Sequence, residues 1–349
     1  MRQGENYGMK KGIIQRCALL PVNVIATALG FATLANMWGA AGFNGVRDVS
    51  FAVVSLVWLA AIVKMSVHFP TFKADYLLLV PSSLYATFSM LTMVLGGFVF
   101  ELVPAAGRAL WLAGVALHTL HLIIFTSRFV IKGVILDTFL PTWFVTYAGY
   151  MVAIVSGMPM GFPLVLQWVM LYGFVVYPII LVGMLVRLYK KPLPVILKPT
   201  GAIFLAPSSL FFVSYLNMSP SMLPNLAPQI DDAIVVGIYI ILFITIIRVA
   251  TLLPSYLRDP FGPGLAALTF PTAIALVATF RMVGYLEMSG RGELAGLLQQ
   301  FFGIQLYITT AIMVYVGYNF LFPFLDSYRP PKPPAPSNYD AAKLEQGGL

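Results

Sequence analysis

Leu268-Thr269-Phe270-Pro271-Thr272 is the last of five short stretches in which a proline stands near the start of an apolar segment. The other four carry Pro21, Pro81, Pro141 and Pro207, and the gaps between successive prolines are 60, 60, 66 and 64 residues. Val80-Pro81-Ser82-Ser83-Leu84 and Ala206-Pro207-Ser208-Ser209-Leu210 are nearly identical. Ala26-Thr27 and Ala86-Thr87 follow their prolines at the same distance. A fixed period with a shared landmark is the mark of an internal repeat. The chain reads as five copies of one unit.

Its composition says where those units sit. Of 349 residues, 59% are hydrophobic and only 10% charged, and the mean hydropathy is +0.87. A soluble domain of this length carries far more charge, so the class is a polytopic membrane protein. About twenty apolar residues cross a bilayer, and ten stretches qualify: 18–38, 51–69, 78–100, 107–128, 140–157, 163–187, 199–217, 231–252, 264–286 and 295–322. Within hydrocarbon the backbone must bond to itself, so each span is predicted to be a helix. The first apolar run, Cys17 to Trp38, is longer than the core of a signal peptide and more spans follow, so it reads as the first span. Residues 1–325 form the transmembrane domain on this reading. The segment 326–349, with Pro330-Pro331-Lys332-Pro333-Pro334, reads as a disordered tail.

The cations orient the spans. Seventeen of the 21 Lys and Arg residues fall on the side of the two termini, and the other side holds only Arg47, Arg108, Arg281 and Arg291. By the positive-inside rule both termini are expected in the cytoplasm of a cell that carries the protein in its cytoplasmic membrane. The pI near 9.5 is then a topology signal and not a nucleic-acid footprint. All five landmark prolines fall in odd-numbered spans, which run parallel, each followed by a return span. Repeats in one orientation relate by an axis along the membrane normal. The expected fold is therefore all-α, with ten transmembrane helices as five helical hairpins around a pseudo-five-fold central pore. The prolines are expected to bend the odd helices. Thr27, Thr87, Thr146, Ser208 and Thr269 beside them, with Ser82, Ser83, Thr142, Ser209 and Thr272, either satisfy freed carbonyls or offer hydroxyls to a permeating ion.

The even spans suit an outer ring. Trp58, Trp111 and Ile238-Tyr239-Ile240-Ile241 read as bulk facing lipid, and Pro178 in the sixth span breaks the pattern. Nothing points to catalysis or to a cofactor. Cys17 is the single cysteine and reads as a small core residue. His118 and His121 lie one turn apart without a third ligand, so they read as hydrogen-bonded structural residues. Asp231 and Asp232 open the eighth span, where acids cap a helix N-terminus. Lys64 and His68 end the second span and are expected to snorkel. The middle portions of the odd spans carry no ionisable side chain, and Arg281 in the outer half of span nine comes nearest. A tight dicarboxylate site calls for cations beside each carboxylate, whereas conduction needs weak binding. Neutral walls with a basic mouth favour passage of small inorganic or organic anions.

The residue before each landmark proline is Leu20, Val80, Leu140, Ala206 and finally Phe270. One large ring among four aliphatic side chains is either a plug in the path or a packed core phenylalanine.

Several motifs together resemble the tellurite-resistance/dicarboxylate transporter family, which includes plant slow anion channels, bacterial tellurite-resistance proteins, and fungal malate and sulfite transporters. They are Leu20-Pro21 with Leu29-Gly30 and Leu34-Ala35-Asn36; Lys198-Pro199-Thr200 with Ala206-Pro207; and Thr269-Phe270-Pro271 with Ala278-Thr279. The resemblance implies five helical hairpins around a pore, a homotrimer, and a gating phenylalanine at Phe270. Thr33 stands where the family usually has glycine, and Ser208 where it usually has a second proline. The expectation is an anion channel or low-affinity anion transporter gated by Phe270. A proton-coupled C4-dicarboxylate or sulfite carrier is the alternative, and a non-transporting membrane scaffold or sensor is a third reading.

Overall fold

The computed structural model describes residues 12–131, 133, 136–217, 230–258 and 260–325. The tail expected over 326–349, and the cations Arg2, Lys10, Lys11, Lys132, Arg329, Lys332 and Lys343, lie outside the described residues.

Ten helices are long and apolar enough to cross a membrane among the described residues, and no residue there is in a strand. They follow one another as hairpins. The first is α1 (Val22–Ala40) and α2 (Asn44–Val67), and the second α3 (Leu79–Leu102) and α4 (Pro104–Phe129). The third is α5 (Trp143–Met160) and α6 (Pro163–Lys190), and the fourth α7 (Leu197–Leu216) and α8 (Asp232–Arg258). The fifth is α9 (Pro263–Met288) and α10 (Gly292–Phe322). Local chemistry sets their ends. Pro104 and Pro163 stand in the first turn of α4 and α6, where the missing N–H is one the helix start leaves unpaired. Gly42, Gly161 and Gly290 have φ of 92°, 81° and 75° in the turns of three hairpins, a conformation glycine adopts without steric cost. Asp231 caps α8 as expected, its Oδ1 accepting from the amides of Ala233 at 2.8 Å and Ile234 at 3.2 Å.

Burial separates the helices into two sets. Of each odd helix's apolar window, 61% to 72% of residues are buried, against 22% to 39% for each even helix. Contacts between helices have the same order. α1 touches α3, α3 touches α5, α5 touches α7, α7 touches α9, and α9 returns to α1. Each even helix packs on its own partner and on the next odd helix, so α10 packs on both α9 and α1.

An outer helix still has one inward face, and two tryptophans expected toward lipid lie on it. Trp111 on α4 is fully buried, and its Nε1 donates to the Ala153 carbonyl at 3.2 Å. Trp58 on α2 is partly buried and donates to Thr92 Oγ1 at 2.9 Å. An indole N–H facing hydrocarbon has no acceptor, which is the physical reason both turn inward. Tyr239 on α8, also expected toward lipid, is buried and donates to Thr279 Oγ1 at 3.2 Å, so Ile240, Ile241 and Ile244 supply the exposed bulk there. Pro178 lies inside α6 on an exposed face, and nothing in the structure explains it. Trp111→Ala is expected to destabilise the fold by about 3–5 kcal/mol. A thermal melt in detergent checks this, and an unchanged midpoint would refute it.

Candidate functional site

A helix start leaves its first amides without intrahelical partners, so proline is tolerated there and costly further in. The landmark prolines follow that rule. Pro21 is the residue before α1, and Pro141 stands two residues before α5. Pro81, Pro207 and Pro271 are each the third residue of a helical segment, Leu79–Leu84, Leu205–Leu216 and Thr269–Met288. Pro21, Pro81 and Pro141 stand at or near a helix start, and Pro207 and Pro271 lie just past the change from 3₁₀ to α-helix inside α7 and α9. Irregular backbone lies ahead of the regular α-helix in each unit, in what we term lead-ins, and it recurs past Pro81 at Tyr85 and past Pro141 in the 3₁₀ segment Ala148–Met151. The lead-ins are the break after Ile13–Cys17, the break at Leu78 after Phe69–Leu77, and the turns at 136–142. For α7 and α9 they are 3₁₀ segments, Val195–Phe204 and Pro263–Leu268.

The hydroxyls beside the prolines bond backwards. Thr27 donates to Asn23 O at 2.9 Å, Thr87 to Leu84 O at 2.7 Å, and Thr269 to Ala266 O at 2.7 Å. Ser208 lies 3.1 Å from Phe204 O and also shares a bond with Tyr177 OH. Thr146 donates across helices to Ser83 O at 3.2 Å. All five are buried. A hydroxyl has one proton to give, so groups already donating to carbonyls offer an anion no hydrogen bond. The acceptors are carbonyls three or four residues back, or Ser83 across the helices, and none is the carbonyl four residues before a landmark proline.

Phe270 is buried, 7% exposed, within the apolar core. Its neighbour across the bundle is α1. A Cβ built on Gly30 falls 2.8 Å from Phe270 N, 2.9 Å from Thr269 C and 2.7 Å from Met313 Cε. Glycine therefore lets the two backbones meet at the level of residue 270. Leu20, Leu140 and Ala206, the corresponding residues of other units, are also buried, and Val80 is partly so. The structure brings Thr269, Phe270 and Gly30 together at one contact and Thr146 with Ser83 at another. Arg281 lies exposed toward the far end of α9.

The histidines of α4 join a polar cluster at the α3–α5 junction. His118 Nε2 lies 2.9 Å from the Thr146 carbonyl, which only a ring N–H can satisfy, and its Nδ1 lies 2.8 Å from Ser89 Oγ. His121 lies 3.2 Å from Thr146 Oγ1 and 2.7 Å from Tyr76 OH. Burial pushes the Tyr76 phenol up to about 12, with Arg128 pulling the other way, so it stays a neutral donor. The hydrogen-bonded role expected of the pair is the one they have.

Lys64 is what sequence reasoning missed. It does not snorkel. It is 2% exposed, and its Nζ lies 2.7 Å from the Leu20 carbonyl and 2.5 Å from Asp75 Oδ2. The available signal was an ionisable residue set inside an apolar span, which faces the bundle more often than the lipid.

Ten apolar helices, five of them buried by the other five, define a multi-pass α-helical membrane protein. The chain belongs to the family described as voltage-dependent anion channel (SLAC1), whose model matches residues 20–321. That is the family of the resemblance seen in the motifs, and it places the chain among anion channels and transporters. A comparison with curated proteins finds no match.

Proposed function

We propose that the five inner helices surround an axial path for anions in a pseudo-five-fold arrangement, and that Phe270 closes it. One observation carries the reading: the odd helices form a closed cycle of contacts with mostly buried faces, while the even helices screen them. The backbone of Phe270 lies at the contact of the cycle's first and last members and its side chain is buried, which supports the gate reading. On this reading the walls bind weakly, because the nearby hydroxyl protons already belong to carbonyls. Weak binding suits a channel or low-affinity transporter better than a capture site. The positive charge concentrated on the side of the termini orients them to the cytoplasm and draws anions to the mouth. A homotrimer in the cell membrane completes the proposal, on the strength of the family resemblance.

Flux into proteoliposomes tests it. Chloride, nitrate, sulfite, tellurite and malate are offered in turn, with and without a pH gradient. Passive, weakly saturating flux of small anions is the expected result. Saturable malate or sulfite uptake that requires the gradient would replace the channel reading with a coupled carrier. Impermeable vesicles holding folded protein would remove transport altogether.

A further inference from the structure

Backbone carbonyls of the lead-ins accept side-chain donors, and a buried carbonyl without a donor is costly. In the first three hairpins the return helix supplies that donor. Lys64, near the end of α2, bonds to Leu20 O at 2.7 Å, and His68 just beyond it reaches Ile14 O at 2.8 Å. Arg128, at the end of α4, donates to Tyr76 O at 3.0 Å and Leu77 O at 3.3 Å. Arg187, near the end of α6, donates to Leu136 O at 3.4 Å, and Lys191 pairs with Asp137 at 2.5 Å. A cation near the end of a return helix meets the lead-in of its own hairpin three times, and Lys64 also pairs with Asp75 in the lead-in of the next hairpin at 2.5 Å.

The offset from landmark proline to clasping cation is 43, 47 and 46 residues in these units. Carried to the fourth and fifth units, offsets of 43 to 47 fall on Ala250 to Pro254 and Val314 to Tyr318, which include no cation. Aromatic rings take over there. The Tyr256 hydroxyl lies against Gly201, and Phe261 meets Tyr315 and Phe320 edge-on, with centroids 6.0 and 5.1 Å apart. Among the described residues no charged side chain of α8 or α10 donates to these lead-ins, and the α9 lead-in has a neutral bond from Asn23 Nδ2 to Pro263 O at 2.7 Å. Both are 3₁₀ segments, whose hydrogen bonds are poorer, and they pack on each other. Bonds from charged donors are about twice as strong as neutral ones. Fastening is therefore uneven around the bundle.

We infer that Lys64, Arg128 and Arg187 are positioning residues that hold the lead-ins of α1, α3 and α5 in place, and that the lead-ins of α7 and α9 form the side that moves when the path opens. The second half rests on the proposed path; the first does not. Phe270 sits directly after the α9 lead-in, so the plug rides on the loosely held side. Leu20, its counterpart in the first unit, is on the fastened side, gripped through its own carbonyl.

Hydrogen–deuterium exchange of the full chain in lipid nanodiscs tests this without reference to transport. Amides of 195–204 and 263–268 should exchange about tenfold faster than those of 13–20 and 136–142, the factor one charge-assisted bond supplies. Lys64→Gln should raise exchange at 13–20 to the level of the α9 lead-in and leave 136–142 unchanged, and Lys64→Arg should restore protection. In proteoliposomes Lys64→Gln should leak chloride with Phe270 intact, and Lys64→Arg should not. Uniform exchange across the five lead-ins overturns the inference, as does unaltered exchange at 13–20 in Lys64→Gln. Raised exchange with wild-type leak would leave the clasp without a positioning role. Should Lys64→Gln fail to fold, Arg128→Gln read at 69–80 and in chloride leak poses the same test. Failure of the anion flux panel alone would leave the exchange result standing.

Discussion

Phe270→Ala raises anion flux per molecule by roughly thirtyfold if the ring closes the path, and this is the largest effect expected of any substitution. Burying a phenylalanine side chain stabilises the arrangement that buries it by about 2 kcal/mol. Each 1.4 kcal/mol is roughly tenfold in a population, so a closed state that depends on that burial loses roughly thirtyfold of its advantage. The ring is 7% exposed, so most of its surface is available to be lost. Phe270→Leu keeps much of the volume and should fall between wild type and alanine. The measurement is chloride or nitrate flux in proteoliposomes, normalised to folded protein. Equal flux for all three proteins would assign the ring to core packing alone.

The two substitutions also separate gating from stability. A phenylalanine that only packs the core gives a lower melting point and no graded flux. A ring that closes the path gives flux that rises as side-chain volume falls, whatever the melting point does. The hydroxyls around it should matter less. Thr269 donates to Ala266 O at 2.7 Å and Thr272 to Leu268 O at 2.7 Å, so both serve the backbone of the α9 start.

Much of this arrangement was legible in the sequence because proline recurs at a near-constant interval and marks the same level of each inner helix. Hydropathy found the ten spans for the same reason that lipid demands them. It could not find the breaks ahead of the inner helices, since Leu19, Leu20, Leu77 and Leu78 are as apolar as the residues they interrupt. Lys64 read as a snorkelling residue because its partner, the Leu20 carbonyl, is 44 residues away in the chain and no local pattern announces it. Trp111 read as lipid-facing because α4 is outer as a whole, while the face on which Trp111 meets Ala153 depends on how α4 rolls against α5. The histidine pair was read correctly, since two imidazoles without a third ligand in an apolar helix have few partners except hydrogen-bonding neighbours.

Gly30→Ala tests the joint on which the proposed closed state depends. One methyl there meets the backbone of the facing helix, with Phe270 N at 2.8 Å and Thr269 C at 2.9 Å. Met313 Cε, at 2.7 Å, is the end of a flexible side chain and can swing away. The two backbone atoms cannot, so α1 and α9 must part by several tenths of an ångström. Overpacking of this kind costs about 1–3 kcal/mol, visible as a lower melting point in detergent. The methyl also pushes on Phe270, so if that residue carries the plug, chloride leak should rise together with the loss of stability. Combining Gly30→Ala with Met313→Ala removes the side-chain clash and leaves the backbone clash. The double variant should therefore leak as much as the single one. Wild-type leak in Gly30→Ala, with the melting point lowered as expected, would mean that the α1–α9 contact supports the fold and has no hold on the gate.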